Sequence, residues 1–152
     1  MPFQQHEQNG LVWFTADILN AIPHGFSTRL GGVSPAPWDS LNLRPNQGDG
    51  PEALRENYRR FFAVLGLDEN RAVLSQQTHT DHIRRVTEED AGKGVIRPRD
   101  YTDVDALITN VPNLPLTVFS ADCGTILLYD PVRQAVGAAH AGWRGCAAGI
   151  AA

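Results

Sequence analysis

Three side chains of metal-ligating type stand far apart in this sequence: His79, Cys123 and His140. His140 closes the small apolar run Val136-Gly137-Ala138-Ala139 and is followed by Ala141-Gly142-Trp143-Arg144-Gly145. Strand-to-turn-to-helix junctions of this kind hold ligands, because backbone N–H groups point outward there and glycine permits close approach. Cys123 ends a second apolar run, Phe119-Ser120-Ala121-Asp122, and His79 lies within Gln76-Gln77-Thr78-His79-Thr80-Asp81-His82. One thiol and two imidazoles at the ends of separate strands make the ligand set of a catalytic zinc. Three protein donors leave the fourth position for a water whose pKa falls to about 7. The spacing is not that of a zinc finger, since neither Cys-x-x-Cys nor His-x-x-x-His occurs.

Each of these residues also has a plainer reading. A cysteine after an apolar strand is more often a small hydrophobe than a ligand, and spacing alone does not decide between the two. His6 and His82 read as surface residues, and His24, before Gly25, as a loop residue bonded locally. Cys146, among alanines and glycine, reads as packing against the sheet. Trp143 is a core or lid residue, or a platform for a purine ring, and Asp122 a turn cap or a proton carrier.

The elements that must position the three donors can be read in order. Leu11–Ala16 forms a first strand, and residues 30–37, with Gly31, Gly32, Pro35 and Pro37, form a loop of special backbone angles. Asp49-Gly50-Pro51-Glu52 opens a helix, with proline suited to the first turn. Leu54, Tyr58, Phe61, Phe62 and Leu65 then recur at helical spacing until Gly66 stops it. Ala72–Ser75 and Ile83–Thr87 read as strands flanking the His79 segment, and the polar stretch 88–103 as a loop that could cover a site. Asp105–Thr109 is a short strand or a helix edge. Leu114–Ala121, Thr125–Tyr129 and Ala135–Ala139 are apolar runs of strand length, the last two joined by a hairpin-like turn over Asp130–Gln134. That pairing brings Cys123 and His140 to one edge of the sheet. From Gly142 the chain reads as the opening turns of a helix that stops without a cap or a further strand, so a longer chain or a partner is expected to complete the core. The expected fold class is α+β, an α/β sandwich of a mixed β-sheet flanked by helices, as one domain over residues 1–152.

Bulk properties narrow the partners. The 152 residues carry a net charge of −4, with 42% hydrophobic and 20% charged residues, the profile of an ordinary globular protein. Dispersed arginines and the negative balance argue against a nucleic-acid backbone. No run approaches the roughly 20 apolar residues of a membrane span, and the first residues lack the pattern of a signal peptide. With two cysteines a disulfide framework is implausible. A cytoplasmic protein, free of membrane and nucleic acid, is expected.

Six segments in one order carry a more specific signal: His24–Ser34, Ser40-Leu41-Asn42-Leu43, Gln77-Thr78-His79, Asp105–Thr109, Ala121-Asp122-Cys123 and His140–Gly145. Together, from Val12 to Ala152, they resemble the YfiH family, also called the laccase-domain or polyphenol oxidoreductase family and regarded as purine nucleoside phosphorylases. The resemblance implies a CNF-toxin/YfiH-like fold, with His79, Cys123 and His140 on the three zinc ligands. It implies phosphorolysis of adenosine, inosine, guanosine and methylthioadenosine, together with adenosine deamination. Family members are usually longer, so the chain is expected to match their first part and to be truncated at its C-terminus. Arg29 and Asn42 match motif positions and are carried over as substrate or phosphate contacts. Arg29 or Arg144 offers a guanidinium fork for phosphate, and Asp122 or Asp105 a carboxylate for proton transfer. Two departures affect the local backbone. Thr80 stands where glycine usually follows the first histidine, and Gly124-Thr125 replaces a residue-proline pair.

Three alternatives compete. A copper-dependent polyphenol oxidase could use the same His2Cys set, but it lacks an axial methionine apart from Met1, and five histidines are too few for a multicopper cluster. A cysteine-type amidase would use Cys123 as nucleophile and His140 as base. One bacterial branch of the family, linked to editing peptidoglycan precursors, suits that chemistry. Last, a fragment could be inactive until a second chain or a homo-oligomer completes it.

Overall fold

The side chains of Leu11–Ala16 alternate between a buried and a less buried face, with Leu11 and Trp13 turned inward. In the computed structural model, which describes residues 2–152, this segment is strand β2, and β1 (Phe3–Gln8) pairs with it antiparallel. Asn9 and Gly10 both have positive φ, at 52° and 80°. This is the backbone a two-residue hairpin turn needs to match strand twist. β3 (Phe26–Ser27) adds to the other edge of β2.

Two compact units divide the chain, one ending at Glu69 and one spanning Asn70–Ala152. The first holds β1–β3 and helix α1 (Pro51–Val64). The helix runs as its apolar spacing predicts. Gly66, at φ 68°, donates to Ala63 O and Leu67 N–H to Phe62 O, a closing pattern that satisfies the last carbonyls. Asn57 on α1 is fully buried and ties the 30–42 loop to the helix. It accepts from Val33 N–H at 2.8 Å and donates to Ser34 Oγ, Ser40 O and Asn42 O. At Gly32 a Cβ would fall 2.0 Å from Ser40 O, so only glycine lets the two strands of that loop approach.

The second unit is built on a mixed four-stranded sheet in the order β5 (Ile83–Arg85), β6 (Ala106–Thr109), β9 (Ala135–Ala141), β8 (Gly124–Asp130). β5 and β6 are parallel, and β6–β9 and β9–β8 are antiparallel. Asp130 caps the β8–β9 turn by accepting from Val132 and Arg133 N–H. One core gathers Val73, Val86, Val104, Leu107 and Leu114, and another Ala106, Ala139, Ala141 and Ile150. Burying each of the larger aliphatic side chains contributes roughly 1.5–3 kcal/mol. The sheet with few helices is an α+β architecture.

β4 (Val73–Leu74) pairs in parallel with β7 (Leu116–Thr117), and both are shorter than their apolar runs suggest. The run to Ala121 leaves the ladder for a physical reason. The Gln77 side-chain amide donates to Phe119 O and accepts from Phe119 N–H, both at 2.7 Å, and so stands in for a neighbouring strand. The polar stretch after Thr87 packs along β4. Lys93 O accepts from Leu74 N–H, and Tyr101 Oη donates to Leu74 O.

The C-terminal segment corrects the sequence reading. Helix α2 (Trp143–Ala148) does have a cap. Gly149, at φ 94°, donates to Cys146 O, and Ile150 N–H to Gly145 O, with Ile150 buried. This is the left-handed glycine closure also seen after α1. Cys146 is exposed rather than buried, and its thiol reaches the sheet only at the end of β9, 3.5 Å from Ala141 O.

Candidate metal centre

Register alone brings three of the chemical side chains to one end of the mixed sheet. Thr125 pairs with His140 and Gly124 with Ala141, so Cys123 precedes β8 beside the end of β9. On the other side of β9, Ala106 pairs with Ala139, and His140 N–H donates to Asp105 O at 2.8 Å. His79 arrives from the segment between β4 and β5. Its ring meets that of His140 edge to face, with centroids 4.9 Å apart.

The ligand atoms of His79, Cys123 and His140 all lie within 4.8 Å of one another. Donors around one tetrahedral zinc, at bond lengths of 2.0–2.3 Å, stand roughly 3.3–3.7 Å apart, so small side-chain rotations bring the trio to an ion. The set of one sulfur and two imidazoles suits a borderline divalent metal. Gly142, the residue before α2, supports the same fit. A Cβ there would stand 2.9 Å from His79 Cδ2 and 3.5 Å from both Cys123 Sγ and His140 Cε1. The glycine keeps open the space that all three donors border.

Asp105 is the residue whose part the sequence did not disclose. Its side chain is fully buried, and five donors converge on it. Oδ1 accepts from His140 Nδ1 at 2.7 Å and His79 N–H at 3.0 Å. Oδ2 accepts from Thr78 N–H, Thr80 N–H and Thr80 Oγ1. Burial pushes its pKa up, but the bonds from Thr78, His140, Thr80 and His79 outweigh that and hold it below the usual carboxylate range. His79 itself has φ 67°, a conformation fixed by these bonds. Thr80 fits its position without a left-handed backbone and adds a hydroxyl to the carboxylate. Burial and the negative charges of Asp122 and Asp105 push the Cys123 thiol up, against free thiolate in the absence of a neighbouring cation.

The remaining candidates lie elsewhere or are already engaged. Asp122 is exposed next to Cys123. Arg144 and Trp143 are exposed, with the guanidinium 5.3 Å from the indole centroid. Arg29 and Asn42 belong to the first unit, where an open groove of about 320 Å³ is lined by Arg29, Pro37, Trp38, Asp39, Leu41 and Asn42. Arg29 donates to Asp39 O and pairs with its carboxylate at 3.2 Å. Asn42 donates to Asp49 and accepts from Arg44 N–H. The other histidines are engaged outside the trio: His6 with Thr15 Oγ1, His24 with Ile22 O and Ala16 N–H, His82 with Asp103. Among the described residues no helix is long and apolar enough to cross a membrane.

Comparison with known proteins places this arrangement. The family described as multi-copper polyphenol oxidoreductase laccase matches residues 23–152. The chain belongs to that family. It is 39% identical over 124 residues to purine nucleoside phosphorylase YfiH of Escherichia coli, covering 82% of this chain and 47% of that protein. To purine nucleoside phosphorylase YlmD of Bacillus subtilis it is 37% identical over 125 residues, covering 80% and 44%. Among solved structures, YfiH of Bacillus licheniformis superposes with a TM-score of 0.87 at 36% identity, covering 98% of this chain and 55% of that one. YlmD of Geobacillus stearothermophilus gives 0.85 at 35% identity, with the same coverage. The chain therefore spans about half the length of the relatives it matches.

Proposed function

We propose that the chain carries the metal centre of a zinc-dependent purine nucleoside phosphorylase that also deaminates adenosine. The observation that carries this reading is the convergence of His79, Cys123 and His140 within 4.8 Å around a space that Gly142 leaves free. The relatives' names supply the substrate class, a purine nucleoside with phosphate, and the family resemblance of the sequence extends it to adenosine, inosine, guanosine or methylthioadenosine. Bound zinc supplies Lewis acidity at the reacting atoms.

The chain's own residues take the other roles. Arg144 is the exposed guanidinium for phosphate oxygens, with the exposed Trp143 as a stacking face for the base. Arg29 and Asn42, the substrate or phosphate contacts that the resemblance implies, lie in the first unit bonded to Asp39 and Asp49. In phosphorolysis a phosphate oxygen bonds to C1′ as the bond to the base nitrogen breaks, and the base leaves with a proton. In deamination, water adds at C6 and ammonia leaves. Asp122 is assigned the proton transfers because its carboxylate is exposed beside Cys123, whereas both oxygens of Asp105 are already bonded. The expected setting is the cytoplasm, alone or as a homo-oligomer.

The test is direct. Zinc-loaded protein incubated with adenosine and phosphate is expected to form adenine and ribose 1-phosphate, and inosine when phosphate is omitted. Absence of every product from protein holding one zinc per chain overturns the reading. The family description also names copper, which a His2Cys set accepts, but a multicopper cluster needs histidines that are here bonded elsewhere. A blue thiolate absorption band after copper loading, with phenol oxidation, would favour that alternative. Thiol chemistry, with Cys123 as nucleophile and His140 as base, predicts amide hydrolysis that survives a chelator.

A further inference from the structure

Resting on the metal-centre reading above, we infer that Asp105 is a positioning residue that presets both histidines for the ion. It fixes the proton of His140 on Nδ1 and holds the His79 backbone, with Thr80 as its auxiliary donor. The argument begins with what a carboxylate can do. Ringed by three backbone N–H groups and a hydroxyl, Asp105 only accepts, so the 2.7 Å contact requires His140 Nδ1 to donate. Nε2 then carries the lone pair. An imidazole without that partner divides between two tautomers, and only one of them can ligate through Nε2.

The same carboxylate reaches the second ligand through its backbone. N–H groups of Thr78, His79 and Thr80 converge on it, closing a three-residue nest that keeps His79 at φ 67°. A non-glycine residue in that region carries strain that local bonds must hold. One buried group thus couples a residue 26 positions upstream to another 35 positions downstream. Thr80 adds a contribution particular to this sequence: its Oγ1 donates to Oδ2 at 3.1 Å, which a glycine in its place could not do.

The experiment uses the whole chain. In metal-free wild-type protein, two-bond ¹H–¹⁵N correlation spectra are expected to show His140 protonated on Nδ1 and bare on Nε2. The opposite tautomer overturns the inference without any variant. Zinc affinity, measured by competition with a chromophoric chelator, is expected to fall 10–100-fold in Asp105→Asn, the range for removing a group that orients a ligand. In Thr80→Val a smaller loss, of severalfold, is expected. Cobalt loading supplies an independent signature: the thiolate-to-metal and d–d bands should shift in Asp105→Asn and hold in wild type. If wild type binds no metal, the functional reading fails while the tautomer spectrum still judges the positioning role. If Asp105→Asn binds zinc like wild type, with an unchanged cobalt spectrum, the positioning role fails and the metal centre stands. Should Asp105→Asn not fold, Thr80→Val and the wild-type spectrum decide.

Discussion

Alanine at Gly142 separates site geometry from fold stability. The glycine has φ −68° and ψ 161°, an extended backbone that any residue adopts, so Gly142→Ala adds no conformational strain. Alanine is the poorer residue ahead of a helix, by about 0.5–1 kcal/mol. The new methyl, however, lands 2.9 Å from His79 Cδ2 and 3.5 Å from Cys123 Sγ and His140 Cε1. Carbon atoms settle at roughly 3.5–4.0 Å, so the His79 ring, on an exposed residue, must retreat by roughly 0.6–1 Å. Metal–ligand bonds tolerate only about 0.2 Å. Loss of good geometry at one ligand is expected to weaken zinc binding by about 10–100-fold, or about 1.4–2.8 kcal/mol. The metal-free protein should lose no more than about 1 kcal/mol. Chelator competition measures the first quantity and urea unfolding of the apo protein the second. Wild-type zinc affinity in Gly142→Ala would refute the shared site.

Other perturbations test the surrounding framework. Asn57→Ala empties a fully buried site and strips Val33 N–H, Ser34 Oγ and Asn42 O of their bonds to the amide, and urea unfolding should show a loss of about 3 kcal/mol. Adding zinc at 100 times its Kd should stabilise the chain by about 2.7 kcal/mol, and a chelator should reverse both that gain and the catalytic activity. Thermal melts at matched concentration read it. Burial raises the pKa of Asp90, but bonds from Lys93, Thr87 N–H and Arg84 bring it from the ordinary 3.8 down to about 2. Its folded value lies below the unfolded one, so its stabilisation is complete above about pH 4 and lost as pH falls through 2. Asp90→Asn should flatten the acid limb of the stability curve in that window and lower stability at pH 7.

Local signals made parts of this architecture readable and left others hidden. Helix α1 was legible because Pro51 at its start, the spacing of Tyr58, Phe61 and Phe62, and Gly66 at its end all agree. The β8–β9 hairpin was equally clear, and with it the meeting of Cys123 and His140 at one edge. β1 was missed, since Phe3–Gln8 is polar and almost wholly exposed. Asn9-Gly10 is a strong hairpin signal and could have found it. The run to Ala121 looked like strand throughout because no local pattern announces that a distant glutamine will take the place of a neighbouring chain. Gly149 marks its own cap, yet it was read only as part of an unfinished helix. Asp105 could be noticed as an acid in a motif. Its grip on residues 78–80 and 140 depends on contacts that only the folded chain brings together.

The amide of Gln77 has a mechanical consequence for the thiol. A ladder of peptide bonds holds a strand along its length, whereas Phe119 is fastened to one side-chain amide, which the Ser75 hydroxyl holds in turn. Both imidazole-bearing residues hang from one buried carboxylate, and the sulfur sits between that amide clip, four residues back, and the first β8–β9 pair at Gly124. A cation arriving at such a cup would draw its donors from three separately fastened segments, and side-chain rotation closes the small mismatch between resting and bonded distances.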